Sequence, residues 1–148
     1  MRQPTGAAQL IFARACAEAA EIAFALDVEH IVLAVAALGS VLDDYLTADE
    51  VRDLIEARER DALAHLGISL DSVRAELDGV LPEGALAEPC ELPVTPEAKR
   101  MFELAARRRS VVTPDQMLAT LIQHSERARR LLFELDVPVG TLQERLRH

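Results

Sequence analysis

The chain has 148 residues, enough for one domain with a proper core; half are apolar, yet aromatics make up only 3 % and Trp is absent. The net charge of −9 argues against nonspecific nucleic-acid binding. No apolar run approaches the roughly 20 residues that span a bilayer and no signal-like segment opens the chain, so a cytoplasmic protein is expected.

Charge is distributed unevenly. Through Pro93 there are 6 basic against 18 acidic residues, and from Val94 onward 10 against 7, so the second half can present a local cationic face. Cys16 and Cys90 are too few for a disulfide framework and lack metal-type spacing. Cys16 falls in an Ala-rich stretch and is expected as a small core filler.

Thr5 is placed to N-cap a first helix reaching about Leu26, with Leu10, Phe12, Ala13 and Cys16 on its apolar face. Asp27 then caps a second helix, Val28 to about Leu38, almost wholly apolar after His30 and therefore the expected buried centre. Gly39 and Ser40 end it. Thr47 and Glu50 form a capping box that starts an acidic helix running to about Leu66. A short helix from Ser69 or Leu70 to near Leu81 follows, and then the Pro- and Gly-containing linker 82–93. Thr95-Pro96 opens a helix to near Arg109, and Thr113-Pro114-Asp115-Gln116 opens another with a capping box. A last pair covers Ser125 to Leu135 and Val139 to Arg147. No stretch shows sustained period-two alternation between turn signals, so the fold class is all-α.

The order of these elements repeats. Thr5 to Phe12 matches Thr95 to Phe102, Glu29 to Val35 matches Asp115 to Leu121, and Leu66-Gly67-Ile68 matches Leu135-Asp136-Val137. One supersecondary unit used twice is the economical explanation. The single domain, 1–148, is then repeat one at 4–81, the linker at 82–93 and repeat two at 94–148. Each repeat has about four helices, and repeat one carries an acidic helical insertion around 41–60.

These heads and steps resemble the Clp N-terminal domain, the Clp repeat domain that caps Hsp100 unfoldases such as ClpC and ClpA. Glu29-His30-Ile31-Val32-Leu33 looks like the family's Gly-Thr-Glu-His followed by an apolar run, and the Leu-Gly-Ile and Leu-Asp-Val segments look like its Leu-Gly-Val-X-Leu step. The second copy departs from the pattern, reading Thr113-Pro114-Asp115-Gln116. No Gly-x-x-x-x-Gly-Lys-[Ser/Thr] loop occurs, so a free-standing module without a motor is expected.

The resemblance implies a domain that binds substrates, adaptors or small molecules, and phosphoarginine in ClpC-type members. Carried over by position, the acids facing the guanidinium are Glu29 and Asp115. Lys99 in the second head could meet an anion or ligand at the seam or simply be solvated, and Thr5 and Thr95 at the repeat openings are further candidate ligand-binding residues. A carboxylate can accept two parallel hydrogen bonds from a guanidinium fork. Both acids also sit at the second position of a helix, where a carboxylate is favoured by free N–H groups and the dipole. Capping and recognition therefore remain alternative roles. The arginines at 107–109, 127, 129 and 130 could meet an anion, an acidic partner or the chain's own acidic insertion, or simply be solvated.

No HExxH spacing or Gly-x-Ser-x-Gly elbow occurs, and Glu29 and His30, being adjacent on a helix, diverge by about 100°. The expectation is a non-enzyme without cofactor or metal. It would recognise substrates, degrons or peptide-like ligands in ATP-dependent Clp proteolysis, with phosphoarginine-bearing substrates or a Clp unfoldase as partners. A rival reading is an interaction protein that has lost the ancestral site and works through the insertion, with Leu46, Val51, Leu54 and Ile55 exposed. A third is a regulatory protein whose basic second half contacts nucleic acid.

Overall fold

The computed structural model describes residues 6–23, 25–65, 92–108 and 112–147. Thr5, the Leu66-Gly67-Ile68 step, the expected helix up to Leu81, Cys90 and nearly all of the linker lie outside the described residues. Those described form an all-helical fold: α1 Gly6–Ile22, α2 Val28–Leu38, a 3-10 turn Val41–Asp44, α3 Ala48–His65, α4 Pro96–Arg108, α5 Pro114–His124, α6 Glu126–Glu134 and α7 Val139–Leu146.

Helix α2 is the centre, as its composition requires. Val28 and His30 to Ala36 are all buried, and α1, α3, α4, α5 and α6 pack around it. A helix apolar on every side is stable only when neighbours cover it all round. It stops at Gly39, whose φ of 94° lies in the left-handed region that favours glycine. Ser40 then restarts the chain, its hydroxyl accepting the Leu42 N–H at 3.1 Å to cap the 3-10 turn.

Helix α1 ends four residues before the expected Leu26, and the reason is tertiary. Leu26 leaves the helix to pair with the second half: its N–H donates to Pro93 O at 2.9 Å and its carbonyl accepts from Thr95 N–H at 2.9 Å. This isolated parallel bridge between Leu26 and Val94 fastens the opening of α4 beside the opening of α2. Nearby, Phe12 of α1 meets Phe102 of α4 edge to face, ring centroids 5.2 Å apart.

The other boundaries follow their caps. Thr47 and Glu50 exchange hydrogen bonds at the head of α3, Thr113 and Gln116 do so at the head of α5, and the Ser125 hydroxyl accepts the Ala128 N–H at the head of α6. Helix α6 closes in a Schellman arrangement, with Val137 N–H donating to Leu132 O and Asp136 N–H to Phe133 O, and Asp136 takes the positive φ of 61°.

The 41–60 insertion is part of the core. Leu46, Val51 and Ile55 are buried and Leu54 packs against them, so the exposed apolar face of the interaction reading is not formed. A buried carboxylate fastens the insertion to α1: Glu18 accepts from Arg52 at 2.8 and 3.1 Å and from Arg14 at 3.0 Å. Two arginines on one desolvated carboxylate satisfy a charge that would otherwise be costly to bury. Cys16, expected as a plain core filler, is buried but disulfide-bonded. No described helix is long and apolar enough to cross a membrane.

Candidate functional site

Polar side chains converge on the N-terminus of α2, and the capping chemistry of that helix explains why. Asp27 is its N-cap: Oδ1 accepts the Val28 N–H at 2.7 Å, while the Asp27 N–H donates to His30 Nδ1 at 2.9 Å. His30 thus fills the capping-box position that Gln116 fills at α5, whose Oε1 accepts the Thr113 N–H at 3.0 Å. Thr95 adds a donor from the second half. Its hydroxyl donates to Asp27 Oδ1 at 2.9 Å and accepts the Ala98 N–H at 3.2 Å, capping α4 at the same time.

Arg127, on the first turn of α6, completes the group. One nitrogen, Nη1, donates to Asp27 Oδ2 at 2.6 Å and the other, Nη2, lies 3.3 Å from Glu29 Oε1. The guanidinium therefore bridges two carboxylates that are 15 % and 16 % exposed, while remaining 53 % exposed itself. Beside it is a cavity of about 460 Å³, walled by Asp27, Glu29 and His30 of the α2 head, Ile55, Arg58 and Glu59 of α3, and Arg127. Arg58 also forms an ion pair with Glu134 of α6.

The electrostatics follow from burial. Glu29 is raised above the ordinary glutamate range by burial and then by the charge of Asp27, against the opposing pull of Arg127. Glu59 is raised for the same two reasons, burial first. Burial works against the charge of Arg127, but Glu29 and Asp27 outweigh it and hold the guanidinium protonated. Burial pushes His30 down to about 4, so its ring is neutral at pH 7. Because Nδ1 accepts the Asp27 N–H, the proton is assigned to Nε2, and Nε2 is buried without a hydrogen-bond partner.

The structure separates the two acids that the repeat pairs by position. Asp115 is spent on the backbone: its Oδ1 accepts the Val41 N–H at 2.9 Å, just past the C-terminus of α2. Glu29 stands in the first turn of that helix, so the two carboxylates are divided by roughly its full length of about 16 Å. They do not face one guanidinium together. Lys99 lies half-buried on the first turn of α4, outside the cavity wall, and Thr5 is outside the described residues. Of the sequence-derived set, Glu29 and Thr95 meet here.

Asp27, Arg58, Glu59 and Arg127 enter the site through tertiary packing. Asp27 was legible as a cap and Arg127 as one of a cationic run, but their contact joins positions 100 residues apart. Two other arginines of the run have ordinary structural partners: Arg129 donates to Ile122 O at 2.7 Å, and Arg130 pairs with Glu126 at 2.9 Å. The insertion meets the second half through ion pairs of both senses, its Arg58 with Glu134 and its Asp44 with Arg145 at 2.7 Å. No cluster of three or more potential metal ligands occurs among the described residues.

The chain matches no model of a known protein family and no curated protein sequence.

Proposed function

We propose that this chain is a non-catalytic recognition module of the Clp N-terminal type, built from two copies of one helical unit. On this reading it binds substrates, degrons or peptide-like ligands in ATP-dependent Clp proteolysis, as an adaptor or a decoy. Three contacts support the duplicated architecture. Helices α2 and α5 have 11 residues each, with a carboxylate at the second position. Each carboxylate reaches the residue three places past the end of the other helix: Glu29 to Arg127, Asp115 to Val41. The matched Phe12 and Phe102 meet each other, as equivalent residues beside a two-fold axis do.

The observation that carries the functional reading is the guanidinium held by Asp27 and Glu29. The resemblance assigns guanidinium recognition to Glu29, and this structure already has one there, supplied by the chain itself. The bidentate acceptor pair, the fixed cap and the adjoining cavity suit a ligand carrying an arginine-like head group. The spent Asp115 makes the site one-sided.

Two measurements test the reading together. An arginine-phosphorylated peptide titrated into the protein should bind saturably, and affinity capture from the native cytosol should return Clp subunits or their substrates. Failure of both would overturn it.

A further inference from the structure

We propose that Arg127 is an internal occupant of a guanidinium-binding site, so that a ligand's cation must displace it to reach Asp27 and Glu29. This rests on the recognition reading above and adds a gate to it.

Four observations carry the inference. Asp27 stays in place without Arg127, because its other oxygen is fixed by the Val28 N–H at 2.7 Å and the Thr95 hydroxyl at 2.9 Å. The acceptor pair is therefore preorganised, whichever guanidinium fills it. Arg127 itself is more than half exposed and sits at the second residue of α6, where the helix dipole disfavours a cation. Its hold comes from the two carboxylates and not from its own helix, which is the arrangement of a displaceable group.

The cavity of about 460 Å³ beside the pair leaves room for a ligand body well beyond one head group, since a water occupies about 30 Å³. Finally, His30 forms part of that wall and is 2 % exposed, with Nε2 buried and unpartnered. A buried donor without an acceptor is a group that an incoming polar ligand can satisfy.

The consequence is a lowered apparent affinity. If the pair is open about one-tenth of the time, a competing guanidinium binds about tenfold more weakly than the open site allows. Arg127→Gln keeps a polar side chain, two bonds shorter, and removes the competing charge.

The probe is N-acetylarginine amide, titrated by NMR into the parent chain, Arg127→Gln and the double variant Arg127→Gln/Glu29→Gln. The expected result is binding at least about tenfold tighter in Arg127→Gln than in the parent, lost in the double variant. A folded Arg127→Gln that binds no more tightly than the parent overturns the gate, as does binding that survives in the double variant. Should the variants not fold, the parent decides. Its Arg127 Nε–H resonance must shift on adding the probe, and an unmoved resonance at saturating probe overturns the proposal. If the parent binds an arginine-phosphorylated peptide while Arg127→Gln shows no gain, the gate fails and the module reading stands. If the parent and both variants bind neither probe nor peptide, the gate fails, and the module reading fails with it when affinity capture also returns no Clp subunits or substrates.

Discussion

Protonation of His30 should set the acid stability of this fold, and the effect can be isolated by one substitution. The native imidazole is held down to about 4 by burial, against an ordinary value of 6.5. A depressed histidine means that the unfolded chain takes up the proton first as the pH falls. Its contribution is therefore fully present above pH 6.5 and is lost as the pH drops towards 4. Over the whole window this amounts to about 3 kcal/mol, and to about 2 kcal/mol between pH 7.5 and 5. Structure supplies the mechanism: Nδ1 accepts the Asp27 N–H at 2.9 Å, so a proton there breaks the capping box of the central helix.

Glu29 and Glu59 act in the opposite sense. Their raised values make the native state gain stability as they protonate, so the parent's raw pH profile mixes both trends. His30→Gln removes only the imidazole and installs the residue that occupies the same box position at Gln116. Urea unfolding of both proteins at pH 7.5, 6 and 5 should show the parent losing about 2 kcal/mol more than His30→Gln by pH 5. Equal losses across that range would refute the reasoning, as would an imidazole that titrates near 6.5 by NMR.

The remaining expectations concern how the insertion, the second half and the surface are held. Arg52→Ala should cost about 2 kcal/mol in denaturant titration, because it leaves the buried Glu18 with Arg14 as its remaining guanidinium partner; the partial exposure of Arg52 keeps the figure below that of a fully buried pair. Asp115→Ala should cost about 1–2 kcal/mol and speed hydrogen exchange at the Val41 amide, and an unchanged amide would show that the Val41 contact is not the role of Asp115. Leu118→Ala, at a fully buried site on α5, should lower stability by about 2–5 kcal/mol in thermal or urea melts. Phe133→Ala should stay within about 0.5 kcal/mol of the parent in the same melts, since the ring is 77 % exposed.

Helices, their caps and the buried centre were legible in the amino-acid order because they rest on local rules. Asp27 with an apolar run after it, Thr47 with Glu50, and Thr113-Pro114 with Gln116 each satisfy free N–H groups within one turn, and all three start helices here. Helix α2 could be placed in the middle because a segment with no polar face has nowhere else to go. The early end of α1 was not legible. It depends on Leu26 pairing with the backbone around Val94, a contact that helix propensity does not encode. The packing of Leu46, Val51 and Ile55 was open for the same reason, since an amphipathic helix has a buried face but does not say against what.

What the sequence determined by itself, then, is an all-helical chain with α2 as its hub and a carboxylate in the first turn of both α2 and α5. Only the tertiary structure decided what those carboxylates touch. Asp115 meets the Val41 backbone and Glu29 meets the Arg127 guanidinium, because the two helices pack so that the N-terminus of α5 lies beside the C-terminal end of α2. A cap needs one turn of chain, whereas a site needs charges brought together from residues 27, 29, 58 and 127. Charge pairs so distant in sequence have no local signature, and burial around α2 is what assembles them.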